Sequence, residues 1–185
     1  MKIMLTGNKN WGLAKELYKS FEHVSCFSRS TGVHLTTEVD QEFLAKKTLS
    51  CDVFINCSKL NNFNQTLLLK KVWDTWNENN KKGIIINIGS TVDTGLKGGS
   101  RIYNVEKVAL RNLSRKLSLD TSSGNGIKVS YISLGYLDTK GVSFQDKVKI
   151  KLNEVSDIIQ WVLNTPSTIN INEISIDAIQ KLEEK

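Results

Sequence analysis

The sequence predicts an α/β fold: a doubly wound parallel sheet with helices on both faces. Short runs rich in Val, Ile and Leu alternate with longer amphipathic stretches along the 185 residues. Several of those runs are apolar at consecutive positions, as in Ile84-Ile85-Ile86. Consecutive apolar residues suit strands covered on both sides, which is the situation in a parallel sheet. Pro166 is the single proline, so no proline-rich linker divides the chain. Residues 1–185 therefore read as one domain, long enough to bury a sizeable core.

The elements follow in order. Residues 2–5 read as the first strand, and Gly12–Ser20 as a helix with Leu13, Ala14 and Leu17 turned inward. Residues 23–27 form a second strand and residues 33–35 a short third one. A helix at residues 41–49 leads to a fourth strand at residues 53–57. The helix at residues 65–78 places Leu68, Val72, Trp73 and Trp76 on one face. Those tryptophans read as core or interface residues. Gly83–Ile88 is the fifth strand. A helix at residues 103–119, a strand at 128–133, a helix at 155–163 and a strand at 171–176 complete the chain.

Composition narrows the function classes. A chain that is 39% hydrophobic and 24% charged is a folding polypeptide rather than a disordered polyelectrolyte. No apolar run approaches the roughly 20 residues that span a bilayer. The opening residues, Met-Lys-Ile-Met-Leu-Thr-Gly, turn polar too soon for a signal peptide, so a cytoplasmic location is expected. Cys26, Cys51 and Cys57 are odd in number and lie in or beside apolar segments. No metal-ligand spacing appears, so buried thiols in a reducing compartment are expected and no metal. The net charge of +6 admits a polyanionic partner. Yet the cations are spread without an RNA-binding signature, and the densest cluster (Arg101, Lys107, Arg111, Arg115, Lys116) has the spacing of a solvated helix face. Nucleic acid is not the expected partner.

Three residues carry the chemistry. Ser90 follows the apolar run of the fifth strand, and Tyr103 and Lys107 stand at i and i+4 in Tyr-Asn-Val-Glu-Lys. On a helix those two share a face. An ammonium beside a phenol favours the phenolate and makes a tyrosine usable as a general acid or base. A serine hydroxyl at the end of the strand suits the oxygen of a carbonyl substrate.

A phosphate site is expected at the other end of the edge. Directly after the first strand comes Thr6-Gly7-Asn8-Lys9-Asn10-Trp11-Gly12-Leu13-Ala14, opening the first helix. Glycines there let the backbone approach a phosphate, and the helix N-terminus supplies N–H donors. At the end of the second strand stand Ser28, Arg29 and Ser30, where a carboxylate would favour NAD. A guanidinium flanked by hydroxyls suits a 2′-phosphate, with Lys9 as a second cation, so NADP(H) is expected before NAD(H).

These residues resemble the short-chain dehydrogenase/reductase family along nearly the whole chain. Gly7, Gly12 and Leu13 fall on its glycine turn. Asn56-Cys57-Ser58 resembles the family's Asn-Asn-Ala-Gly after the fourth strand, Ser90, Tyr103 and Lys107 fall on its catalytic residues, and Leu134-Gly135-Tyr136-Leu137-Asp138-Thr139 resembles its Pro-Gly-x-x-x-Thr segment. The resemblance implies a Rossmann-like sheet of about seven parallel strands. It implies hydride transfer between NADP(H) and a carbonyl or alcohol. Tyr103 would be the general acid/base, Lys107 would tune it and hold the nicotinamide ribose, and Ser90 would orient the substrate oxygen. An asparagine near Asn64 would position a water. Cofactor contacts would come from Gly7, Asn8, Lys9, Trp11, Gly12, Leu13, Ser28, Arg29, Ser30, Asn56, Cys57, Ser58, Tyr103, Lys107, Gly135, Leu137 and Thr139. The family also implies a homodimer or homotetramer.

The chain departs from the pattern in places. Four residues separate Gly7 from Gly12, Ala14 stands where the last glycine is usual, and only residues 140–153 are available as a lid over the substrate. A short lid suits a large or carrier-borne substrate. The alternative reading is a dinucleotide-binding regulatory protein with little or no catalysis.

Overall fold

Six strands, β1 (Ile3–Thr6), β2 (Val24–Phe27), β3 (Val53–Asn56), β4 (Gly83–Ile88), β5 (Ile127–Leu134) and β6 (Glu173–Ile176), build one sheet in the computed structural model. That structure describes residues 1–94, 101–120, 126–139 and 147–179. The strand order is β2-β1-β3-β4-β5-β6, and each neighbouring pair is parallel. Five helices connect them: α1 (Gly12–Ser20), α2 (Glu38–Lys47), α3 (Asn64–Glu78), α4 (Ile102–Ser118) and α5 (Leu152–Leu163).

Alternation along each strand divides the core in two. Ile3, Leu5, Val53, Ile55, Ile86, Ile88, Ile132 and Leu134 face α1 and α5. Phe54, Ile85, Val129 and Tyr131 face α2, α3 and α4. This two-sided burial is why the strands are apolar at successive positions. Both expected tryptophans lie in the second core, and Trp76 donates its indole N–H to Thr48 Oγ1 at 2.7 Å.

Among the described residues no seventh strand forms. Residues 33–35 are irregular, and Val33 and Leu35 plug the second core as single side chains. Two local structures take up this segment. A short helical turn at Arg29–Thr31 follows β2 directly, and α2 starts at Glu38 rather than at residue 41. Thr37 caps α2 by accepting from the Asp40 amide at 3.4 Å, and Glu38 and Asp40 favour the positive helix end. The helix-start signal wins over three residues of strand propensity.

The chain passes outward from β1 to β2 and then crosses back over β1 to β3, from where it continues in the opposite direction. The switch point at the carboxyl ends of β1 and β3 is where such sheets open a crevice. Among the described residues, no helix is long and apolar enough to cross a membrane.

Candidate functional site

The end of β4 delivers Ser90. Gly89 donates its amide to the Ile132 carbonyl at 2.8 Å, and Ser90 then opens a short turn, Thr91–Asp93. α4 brings Tyr103 and Lys107 up to it from the side, one helical turn apart. Ser90 is near enough to Tyr103 to draw its phenol down, and Lys107 Nζ lies 5.6 Å from the centre of the Tyr103 ring. The structure thus brings Ser90, Tyr103 and Lys107 into one place.

Their electrostatics differ from the expectation in one respect. Burial pushes the Tyr103 phenol up, Ser90 opposes this, and Asp93 and Glu106 add to it. Desolvation is the largest of these influences, so the phenol is held above its ordinary value rather than below it. Lys107 is 6% exposed, and burial lowers its amine to about 8. A second ammonium, Lys59, stands 4.9 Å from the Tyr103 ring centre.

Lys107 is held by a residue the sequence reading missed. Its Nζ donates to Gln65 Oε1 at 2.7 Å and to the Ile88 carbonyl at 3.2 Å. Gln65 is anchored in turn by Nε2 bonds to the carbonyls of Asn56 (2.9 Å) and Ile88 (3.0 Å). Asn64 does not reach this group. It accepts from Gln41 and donates to the Asn61 carbonyl, because one residue along a helix turns the side chain by about 100°. The signal for Gln65 was present: it shares the face of Leu68, Leu69 and Val72, where a polar side chain must find a buried partner.

Asn56 is fully buried and is a strut. It donates Nδ2 to the Gln65 carbonyl and to Asn87 Oδ1 on β4, joining two strands to α3. Thr6, also fully buried, accepts from the amides of Cys57 and Ser58 at 2.9 and 3.0 Å. Ser58 thereby comes beside the glycine turn. Burial pushes the Cys57 thiol up to about 12, so it is inert there.

The glycine turn fits a phosphate-bearing cofactor. Gly7 has φ +137, and a Cβ on it would meet the Ala14 methyl at 2.6 Å. The missing side chain at Gly7 makes room for Ala14, so α1 seats tightly on β1 despite the added methyl. Asn8 shapes the turn, accepting from the Asn10 amide on Oδ1 and from the Trp11 amide on its carbonyl. Trp11 at the start of α1 provides no side-chain cap, which leaves the first amides of that helix facing outward. Gly12 sits at φ +58, with Thr139 the nearest neighbour to a Cβ placed there. Leu13 is buried in the first core, so it can offer a ligand only its backbone.

Beyond β2, Arg29 is exposed, and Ser28 Oγ and Ser30 Oγ lie 2.7 Å apart beside it. Lys9 leans over the Tyr18 ring, 5.7 Å from its centre. Gly135 is packed against the Asp177 carboxylate, which is why it carries no side chain. Leu137 bridges to Ile150, so Ile150 of the expected lid is a buried floor residue; residues 140–146 lie outside the described residues.

The basic cluster is not one solvated face: Lys107 is buried and Arg111 pairs with Glu173. No group of metal-binding side chains occurs among the described residues. Cavities of about 380 Å³ beside Arg115 and Asn170 and of about 250 Å³ beside Phe21 and His23 lie at the amino ends of the strands. They hold none of the reactive side chains.

Known proteins resemble this chain in sequence and in fold. Residues 12–149 match the family described as short chain dehydrogenase. An uncharacterized oxidoreductase of Staphylococcus epidermidis is 25% identical over 169 residues, covering 89% of this chain and 69% of its own. An alcohol dehydrogenase from the archaeon Thermococcus sibiricus, complexed with 5-hydroxy-NADP, superposes with a TM-score of 0.76 at 16% identity over 100% of both chains. A 4-hydroxyisoleucine dehydrogenase complexed with NADH gives 0.73 at 18% identity, over 96% of this chain and 97% of that one. At such identities the structures establish the fold. The family match, which spans most of the sequence, establishes the kinship: this chain is an oxidoreductase of the short-chain dehydrogenase family.

Proposed function

We propose that this chain is an NADP(H)-dependent oxidoreductase that interconverts a carbonyl and an alcohol, with Tyr103 as general acid/base. The observation that carries the reading is Tyr103, beside Ser90 and flanked by Lys107, on the same sheet edge as the glycine turn. When bound, NADPH supplies the hydride. Tyr103 gives its proton to the substrate oxygen as negative charge develops there. Ser90 donates a hydrogen bond to the same oxygen, a contact that strengthens in the transition state. Lys107 has three N–H donors, of which Gln65 and Ile88 take two. The third remains for a ribose hydroxyl and steadies the phenolate left after proton transfer.

Gly7, Asn8 and Gly12 offer backbone to the pyrophosphate, and Trp11, Leu13, Cys57, Ser58, Leu137 and Thr139 line the approach. Arg29, with Ser28 and Ser30, receives the 2′-phosphate. The exposed stripe Ile102, Val105 and Val108 on α4 supports pairing of two copies through that helix. Three free thiols fit a reducing, cytoplasmic setting and a single-domain enzyme.

Calorimetric titration with NADPH and NADH, followed by turnover on a panel of aldehydes and ketones, tests this. The expected result is micromolar NADPH affinity, NADH about tenfold weaker, and measurable carbonyl reduction. Binding without turnover would leave a dinucleotide-binding regulator. Binding of neither would remove the proposal.

A further inference from the structure

Asp93 is a buried carboxylate, 9% exposed, that the chemistry above leaves unused. It closes the turn after β4, donating its amide to the Ser90 carbonyl at 3.1 Å, so its place fixes that of Ser90. Its side chain points down onto β5. Tyr131 donates its hydroxyl to Asp93 Oδ2, and Ser133 lies 3.4 Å from Oδ1. Tyr131 and Ser133 are two residues apart, hence on one face of the strand, the face under α4. Gly89 has no room for a side chain, because a Cβ there would land on the Tyr131 phenol. The ring therefore runs directly beneath the backbone that delivers Ser90.

The groups facing Asp93 are Tyr131 and Ser133 from β5, Tyr103, Lys107 and Arg111 from α4, and Glu173 from β6. Arg111 is already paired with Glu173. Burying a carboxylate is costly, and a neutral side chain could accept the Tyr131 hydroxyl as well. What a neutral residue could not supply is a negative charge close to Tyr103 and Lys107.

We propose that Asp93 is a positioning residue for the Ser90–Tyr103–Lys107 site. Through Tyr131 and Ser133 it pins the turn that carries Ser90, and its carboxylate, which those two hydroxyls and Arg111 favour against the upward push of burial, opposes loss of the Tyr103 and Lys107 protons. Burial acts on Tyr103 in the same direction. The meaning of the Tyr103 proton rests on the function proposed above: it is the proton given to a carbonyl oxygen.

Two substitutions separate the strut from the charge. Asp93→Asn keeps an oxygen for Tyr131 and removes the charge; Tyr131→Phe keeps the charge and removes the strut. NMR of isotope-labelled tyrosines in the full chain, with Tyr103→Phe identifying the Tyr103 signal, follows its titration without any substrate. In Asp93→Asn the Tyr103 midpoint should fall, and Asp93→Ser should behave alike if the asparagine variant does not fold. In Tyr131→Phe, kcat for carbonyl reduction should drop about tenfold with the NADPH Kd unchanged. An unmoved Tyr103 midpoint in the uncharged variant overturns the electrostatic role. Wild-type kinetics in Tyr131→Phe overturn the pinning of Ser90. A wild-type chain without turnover would defeat the enzymatic reading instead, and the Tyr103 midpoint would still decide the role of the charge.

Discussion

Between β4 and α4 the reactive side chains are braced from within, whereas beside β1 and β2 they stand free. Lys107 is gripped by Gln65 and Ile88, Gln65 by two strand carbonyls, and the Ser90 turn by Tyr131. At the other end Arg29 is exposed and Trp11 is 56% exposed, and the turn is shaped mainly by backbone. The contrast teaches a division of labour. Proton transfer needs groups held to a fraction of an ångström, which buried cross-bracing supplies. Phosphate recognition needs accessible amides and cations, and a charge on a flexible stem suffices for the 2′-position.

Three experiments would break or sharpen that contrast. The largest effect is expected at Tyr103. Tyr103→Phe should lower turnover about a thousandfold while NADPH still binds; a variant within a few-fold of wild type would remove Tyr103 from the mechanism.

Next in size is the energetic penalty carried by the braced half. Lys107 titrates near 8 in the folded chain, against 10.5 for an ordinary lysine. Below about 8 it is charged in both folded and unfolded states, and the cost of burying the charge is fully present. As pH rises from about 8 toward 10.5, the folded chain gives up its proton first, the cost fades and stability rises. Lys107→Met should therefore stabilise the fold near neutral pH by about 1–2 kcal/mol, after allowing for the Gln65 oxygen left unpaired. That advantage should shrink in urea melts repeated at higher pH. A difference that stays flat with pH would show that the buried ammonium carries no such penalty.

The smallest effect belongs to the free half. Arg29→Ala should weaken NADPH about tenfold and leave NADH and thermal stability unchanged. Equal losses for both nucleotides would mean that Arg29 does not read the 2′-phosphate.

The sequence disclosed these two regions unequally. Strands and helices were legible because apolar periodicity is local, and so was the closeness of Tyr103 to Lys107, since the two share one helix. The contact of Gln65 with Lys107 is not legible locally, because the phase of α3 depends on its entry. Asn62 and Phe63 both adopt left-handed backbone there, and Glu106 of α4 holds the Phe63 amide at 3.1 Å. That arrangement is tertiary and leaves no periodic trace. The strand expected at residues 33–35 failed because its side chains satisfy the core as well from a loop. The link between Asp93 and Tyr131 crosses 38 positions, and no local pattern announces it.

The contact between Gly89 and Tyr131 also bears on how this chain can change. The phenol fills the volume that any side chain at position 89 would need. Substitutions at 89 are therefore closed until residue 131 becomes smaller, and shrinking 131 first strips Asp93 of its donor. The order of steps is therefore constrained by space. Such pairs make a sequence drift as coupled blocks, so a graft of the Ser90 turn from a relative would need its β5 partner to travel with it.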